Sequence, residues 1–128
     1  MKLLLDTQAF LWFGLRSPRL SPTADELIAN PVNQLLLSAA SYWEIAIKIS
    51  IGKYELSQGF RMFMEEQLTV NRIAVLPILP EHANIVASLP FHHRDPFDRM
   101  LVAQAIVESI PIVSADAALD QYSVARLW

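Results

Sequence analysis

The 128-residue sequence contains no cysteine, which excludes disulfide bonds, thiolate metal sites and a cysteine nucleophile. Its only glycines, Gly14, Gly52 and Gly59, are too widely spaced to form a glycine-rich phosphate loop. Basic residues are also few, since 10 Lys and Arg against 13 Asp and Glu give a formal charge of −3. This balance argues against a broad basic face for nucleic acid, so any such contact has to be local or metal-mediated.

Long apolar runs are absent as well. Asp6 and Gln8 interrupt the first run, Leu3–Leu5, and no small-residue cleavage site follows, so no signal peptide is expected. The longest uncharged stretch, between Glu26 and Glu44, contains asparagine, proline and glutamine and is not typical of a membrane span. We therefore expect a soluble cytoplasmic protein. Because 53% of the residues are hydrophobic, some apolar surface is expected to remain for a dimer or another protein partner.

Short apolar runs alternate with helical patterns along the chain. The predicted strands are 3–5, 34–37, 73–76, 111–114 and 122–127, and the predicted helices are 9–15, 22–29, 42–51, 58–68, 80–88 and 96–107. Ser41 is predicted to cap the third helix. Strands that are apolar on both faces predict a three-layer α/β/α sandwich around a central, mostly parallel five-stranded sheet. The length predicts one domain, 1–128.

The segment 93–105 is the most informative part of the chain. Asp95 is a helix N-cap, Pro96 occupies the first helical position, and Asp98 lies in the first turn. Almost every residue from there to Val107 is apolar or small, so a carboxylate is expected at the start of a buried helix. Such a carboxylate should be neutral, paired or bound to a metal, and the rest of the chain has to supply its companion.

Three further acids are predicted at one edge of the sheet. Asp6 and Asp116 directly follow the first and fourth strands, and Glu44 lies one turn into the helix after the second strand. Asp98 joins them if the loop before its helix reaches that edge, where open parallel sheets bind ligands. Four close carboxylates repel one another unless protonated or bound to a cation, and oxygen ligands suit Mg²⁺ or Mn²⁺. Since such an ion activates water and stabilises charge on a phosphodiester, phosphodiester hydrolysis is the leading chemistry.

Purely structural roles also account for each acid taken singly. The two acids that follow strands are ordinary helix caps, Glu44 pairs with Lys48 one turn later, and Asp98 complements the helix dipole. Only the predicted convergence of all four acids favours a metal-binding active site. Thr7 and Ser114 are candidates to hold ligands or water in place.

Histidine offers a weaker signal. His92 and His93 either face RNA or lie in a solvated loop, and His82 is predicted to be a surface helix residue.

Four segments together resemble the PIN-domain ribonucleases and, more narrowly, the VapC-type toxins of bacterial toxin–antitoxin pairs. The segments are MKLLLDT at 1–7, SYWEIAIK at 41–48, HRDPFDRMLVAQA at 93–105 and VSAD at 113–116. They occur in the family's order and spacing over nearly the whole chain.

The resemblance implies a Mg²⁺- or Mn²⁺-dependent endoribonuclease with an acidic quartet of Asp6, Glu44, Asp98 and Asp116. Asp6 and Asp98 would be the principal metal ligands, while Glu44 and Asp116 would complete the shell directly or through water. Asp120 competes with Asp116 for the fourth position.

The resemblance further implies homodimers and a cognate VapB- or Phd-like antitoxin. The antitoxin would cover the active site, often with a basic side chain, and join the toxin in binding promoter DNA. Such a toxin would inhibit translation by in-line cleavage of single-stranded RNA that leaves a 5′-phosphate. Lys48, Arg94 and Arg99 are candidates for contacts to the RNA backbone, although Arg99 has an alternative partner in Asp95.

Three other functions fit parts of the pattern. A phosphoaspartyl phosphatase of the haloacid dehalogenase type would need an acid where the chain has Gln8. A Mg²⁺-binding phosphoryl-receiver domain would need an acceptor aspartate after the third strand, where Leu76 and Pro77 lie. A catalytically silent PIN fold that acts as a binding module is distinguished only by assay.

Overall fold

The computed structural model describes all residues, 1–128, as five strands, six α-helices and one 3₁₀ helix. None of the helices is long and apolar enough to cross a membrane. The strands are β1 (Lys2–Leu5), β2 (Gln34–Ser38), β3 (Ile73–Leu76), β4 (Ile112–Val113) and β5 (Arg126–Leu127). The helices are α1 (Thr7–Gly14), α2 (Pro22–Ala29), α3 (Ala39–Ser50), α4 (Phe60–Val70), α5 (Pro80–Ser88) and α6 (Pro96–Glu108), and the 3₁₀ helix is Ala117–Gln121.

The five strands form one sheet in the order β3-β2-β1-β4-β5, and every neighbouring pair is parallel. The α/β fold with a central parallel sheet is therefore confirmed. The chain runs from β1 outward to β2 and β3, and then returns to place β4 on the other side of β1. Strand order consequently reverses between β1 and β4, which is where ligands bind in sheets of this kind.

Side chains of β1 alternate between two hydrophobic cores, one on each face of the sheet. Leu3 and Leu5 pack with Phe10, Ile45 and other residues mainly from α1, α2, α3 and α4. Leu4 packs on the opposite face with residues mainly from α5, α6 and the C-terminal segment. All three leucines are fully buried, as expected for a central strand covered by helices on both faces.

The predicted cap of α3 and the predicted start of the fifth strand were wrong. The cap of α3 is Ser38, whose hydroxyl oxygen accepts a hydrogen bond from the Ala40 N–H at 3.0 Å, whereas Ser41 lies inside the helix. The fifth strand is shorter than the predicted 122–127, because only Arg126 and Leu127 pair with β4. Tyr122 instead turns its ring into the core.

The prediction of a surface position for His82 was also wrong, because this side chain is completely buried. Its Nδ1 accepts a hydrogen bond from the Leu79 N–H at 3.0 Å and thereby caps the start of α5. Its Nε2 lies 3.0 Å from Glu108 Oε2. His82 thus ties the beginning of α5 to the end of α6.

Gly14 is expected to be required for packing at the end of α1. A β-carbon added there would lie 2.6 Å from Cζ of Phe63, a buried ring that packs edge to face against Phe10. Replacement of Gly14 by Ala should therefore lower the free energy of unfolding by about 1–3 kcal/mol despite the better helix propensity of alanine, measured by urea denaturation. A Gly14→Ala/Phe63→Leu double variant should lose less than the sum of its single variants, and strict additivity would contradict the clash.

Candidate active site

Asp6 and Asp116 lie next to each other at the carboxyl edge of the sheet because β1 and β4 are neighbouring strands. Each carboxylate also caps the helix that follows it. Asp6 Oδ1 accepts from the Ala9 N–H at 2.6 Å, and Asp116 Oδ1 accepts from the Ala118 N–H at 3.0 Å. The structural and the functional interpretations of these two acids are thus compatible.

Asp98 reaches the same edge from the first turn of α6. Its side chain lines a pocket of about 170 Å³ together with those of Asp6 and Asp116. One oxygen of Asp98, one oxygen of Asp116 and a ring nitrogen of His93 all lie within 4.8 Å of one another. The loop before α6 therefore brings the third carboxylate to the point where strand order reverses.

Burial and mutual repulsion raise the pKa of two of these carboxyls. The pKa of Asp98 rises to about 6, first because of desolvation and then because of the negative charges of Asp95, Glu44 and Asp116, while His93 opposes the rise. Burial likewise raises the pKa of Asp6, against hydrogen bonds from Ser114 and Ala9. Both carboxyls are therefore harder to ionise in the folded protein than a free aspartate side chain.

Glu44 is 5% exposed and does not line the pocket. Its Oε2 accepts from Lys48 Nζ at 2.7 Å, which is the predicted pairing along α3. Its Oε1 accepts from the Thr7 hydroxyl at 2.7 Å, and Thr7 in turn lies 2.9 Å from the Ser41 hydroxyl. The acid contributes to the raised pKa of both Asp6 and Asp98, so it belongs to the same electrostatic cluster.

Ser114 links the two acids that follow strands. Its hydroxyl oxygen accepts from the Asp116 N–H at 3.0 Å, and its hydroxyl lowers the pKa of Asp6. The side chain is completely buried.

The structure separates Asp116 from Asp120, the two candidates for the fourth acid. Asp120 is exposed and forms a two-pronged pair with Arg126, at 2.9 Å to Nε and 3.1 Å to Nη2. This hydrogen bonding to Arg126 lowers the pKa of Asp120. Asp116, and not Asp120, lines the pocket with Asp6 and Asp98.

Two residues at the site were not identified as site residues from the sequence. Ser41 supports Thr7, and His93 contacts Asp116 at 2.6 Å between Nε2 and Oδ2. The sequence predicts that His93 either faces RNA or lies in a solvated loop, but its side chain is only 9% exposed. Nothing in the local sequence distinguishes it from His92 beside it, which is exposed.

The assignment of Arg99 to RNA contact is corrected by its placement. Arg99 is 5% exposed, and its guanidinium donates to the carbonyl oxygens of Pro90 at 2.9 Å and Leu89 at 3.0 Å. It therefore holds the loop before α6 and has no free face for a phosphate. Arg94 is exposed, and Lys48 is 27% exposed while paired with Glu44.

The donor set of the pocket fits a hard divalent cation. Three carboxylates line it, and the raised pKa values of Asp6 and Asp98 show that their charge is poorly compensated without one. Carboxylate oxygens suit Mg²⁺ and Mn²⁺, and the chain has no thiolate to favour a softer metal. Asp6, Asp98 and Asp116 are the residues that could hold such an ion.

Comparison with solved structures finds the same fold in proteins of low sequence identity. The chain aligns with a chain of VapBC2 from Rickettsia felis, bound to a DNA fragment from their promoter, with a TM-score of 0.72 and 13% identity over 100% of both chains. For VapBC-1 of nontypeable Haemophilus influenzae the TM-score is 0.68 at 17% identity, covering 98% of this chain and 96% of that one. For FitAcB of Neisseria gonorrhoeae the TM-score is 0.63 at 19% identity, covering 97% of this chain and 95% of that one. No curated protein matches the sequence.

The protein is an α/β protein with a parallel sheet and three carboxylates at the point where strand order reverses. The family model of the PIN domain matches residues 3–125. The chain therefore belongs to the PIN domain family, and its fold is that of the VapBC and FitAB neighbours.

Proposed function

We propose that this protein is a Mg²⁺- or Mn²⁺-dependent endoribonuclease with Asp6, Glu44, Asp98 and Asp116 as its acidic site. The observation that carries the proposal is the convergence of Asp6, Asp98 and Asp116 on one pocket, with too little positive charge nearby to balance them. Membership of the PIN family supports nuclease chemistry.

The side chains of the site have two proposed roles, which are to bind the cation and to orient the residues that bind it. Asp6 and Asp98 bind the cation, and Glu44 and Asp116 complete its surroundings directly or through water. A bound ion would supply charge stabilisation at the scissile phosphate and an activated water. Ser114 accepts a hydrogen bond from the backbone N–H of Asp116, so it would help to organise the pocket before substrate arrives.

RNA would be held by local contacts, because the net charge of −3 provides no broad basic face. Arg94 is exposed in the loop that precedes α6 and is the best-placed backbone contact among the predicted residues. Lys48 is a second candidate, since its side chain is partly exposed and its ammonium lies 2.7 Å from the Glu44 carboxylate. Single-stranded RNA is the expected substrate, because its backbone is free to enter a small pocket.

We further propose that the protein is the toxin of a VapBC-type pair and inhibits translation. The structural neighbours are VapBC and FitAB complexes, which supports an antitoxin as partner. The proposal includes a VapB- or Phd-like antitoxin, a homodimer of this chain, and promoter DNA bound only through the antitoxin. The uncompensated acidic pocket is complementary to a basic side chain of such an antitoxin.

Cleavage of a panel of folded and unstructured RNAs tests the enzymatic proposal. Purified protein should cut with Mg²⁺ or Mn²⁺ and not with EDTA, and Asp6→Asn should lose at least about a hundredfold in rate. Asp120→Asn is the matched control, since it removes a carboxylate that the pocket does not use, and it should cut at the parent's rate. Equal cleavage by Asp6→Asn and its parent would indicate a contaminating nuclease, and no cleavage of any RNA would favour the binding-module alternative.

A further inference from the structure

His93 makes two side-chain contacts inside the site. The residue lies in the loop between α5 and α6. Its Nε2 is 2.6 Å from Asp116 Oδ2, and its Nδ1 is 3.1 Å from the hydroxyl oxygen of Tyr122. The Tyr122 side chain is buried, and its ring stacks against that of His93 with centroids 5.5 Å apart. Both nitrogens of one buried imidazole are therefore engaged by the protein.

The chemistry of the partners fixes which atom donates. A carboxylate oxygen accepts hydrogen bonds, so the Nε2–H of His93 donates to Asp116 Oδ2. In the neutral ring Nδ1 is then an acceptor, and the Tyr122 hydroxyl donates to it. The hydrogen bond to Asp116 has the same direction whether the ring is neutral or charged.

In this arrangement neither ring nitrogen of His93 has a free lone pair, although the residue lies within 4.8 Å of two carboxylate oxygens. What His93 does instead is constrain Asp116. With Ala118 N–H on Oδ1 and His93 on Oδ2, both oxygens of that carboxylate are held in place.

We propose that His93, with its ring orientation set by Tyr122, is a positioning residue that holds Asp116 in the geometry needed at the metal site. The inference rests on the proposed function, because Asp116 acts there only if a cation is bound. The side chain of Asp116 is 44% exposed, so without His93 it can rotate toward solvent. Partners of this kind behind metal-binding groups typically contribute ten- to hundredfold in metal affinity or activity, by order of magnitude.

Mn²⁺ binding to the whole protein, measured by calorimetry and by electron paramagnetic resonance, tests the proposal apart from cleavage. His93→Ala should weaken Mn²⁺ binding by about ten- to hundredfold and raise the Mn²⁺ concentration needed for cleavage. The KM for RNA at saturating Mn²⁺ should stay the same, because His93 holds Asp116 and does not contact RNA. His93→Gln, whose amide N–H can donate from nearly the same position, should restore most of the affinity.

Tyr122→Phe keeps the ring and removes the hydroxyl, so an intermediate loss of Mn²⁺ affinity is expected. Thermal melts check that each variant is folded. Parent-like Mn²⁺ affinity in His93→Ala, or equal weakness of the Ala and Gln variants, would overturn the positioning role. RNA cleavage by the parent would still support the nuclease in that case. Conversely, His93-dependent Mn²⁺ binding in a protein that cuts no RNA supports the positioning role and refutes the nuclease. A parent that binds no Mn²⁺ refutes the positioning role.

Discussion

Asp98→Asn is expected to abolish metal-dependent RNA cleavage and yet to melt at a higher temperature than the parent in EDTA near neutral pH. The loss of cleavage, at least about a hundredfold, follows from removing a principal ligand of the cation. The gain in stability follows from electrostatics. Asp98 lies among Asp95, Glu44 and Asp116, and burial together with their charges raises its pKa to about 6.

The sign of this effect depends on pH. Because the folded-state pKa of Asp98 lies above its value in the unfolded chain, the protonated carboxyl contributes stability below about pH 4, and that contribution is lost as the pH rises through about 6. A rise from 3.8 to about 6 corresponds to at most about 3 kcal/mol, and partial exposure of the side chain reduces the expected gain to about 1–2 kcal/mol. The stabilisation by Asn should therefore be present at about pH 7.5 and small at about pH 4.5.

Melting temperatures measured with and without Mn²⁺ give the sharpest comparison. Added Mn²⁺ should stabilise the parent and leave Asp98→Asn nearly unchanged, so the order of the two melting temperatures should reverse. Asp120→Asn serves again as control, because Asp120 pairs with Arg126 outside the pocket and its loss should not alter the response to Mn²⁺. Lower stability of Asp98→Asn in EDTA at about pH 7.5 would contradict the electrostatic account.

Much of the fold and part of the site follow from local sequence. Apolar runs that end in Asp6 and at Asp116 predict strands with an acid at the carboxyl edge, and the parallel sheet brings both acids together. Asp95 and Pro96 mark the start of α6 correctly. These features are predictable because each depends on residues within one turn or one strand.

The elements that sequence reasoning missed depend on contacts between distant segments. Ser38 and Ser41 are equally good candidates for the N-cap of α3 by sequence. In the structure Ser38 is the N-cap, whereas the Ser41 hydroxyl contacts that of Thr7, which is 34 positions away. His93 is recognisable as a site residue only once the chain brings it to Asp116, 23 positions later. No periodicity or spacing within the loop indicates that contact.

Arg99 is the residue that places this loop, and its replacement by Met is expected to destabilise the protein by about 3 kcal/mol or more. The buried guanidinium donates to the carbonyl oxygens of Pro90, Leu89 and, at 3.3 Å, Val86. It also lies 3.9 Å from the centroid of the Phe91 ring. Methionine fills similar space but removes the donor to all three carbonyl groups, of which only that of Val86 keeps another, the Leu89 N–H. The end of α5 and the loop before α6 therefore lose their anchor.

The loss of stability should affect the loop before α6 first, because the guanidinium also lies 3.5 Å from the carbonyl oxygen of His93. The Leu89 N–H, which donates to the Val86 carbonyl at 3.3 Å, should exchange faster in Arg99→Met. Metal-dependent cleavage should fall, since His93 then no longer holds Asp116. Arg99→Lys keeps the charge, but one ammonium cannot satisfy all these carbonyls, so it should recover only part of the stability. Arg94→Met, an exposed neighbour, should stay within about 0.5 kcal/mol of the parent. Parent-like stability and exchange in Arg99→Met would show that the loop is held by its apolar contacts alone.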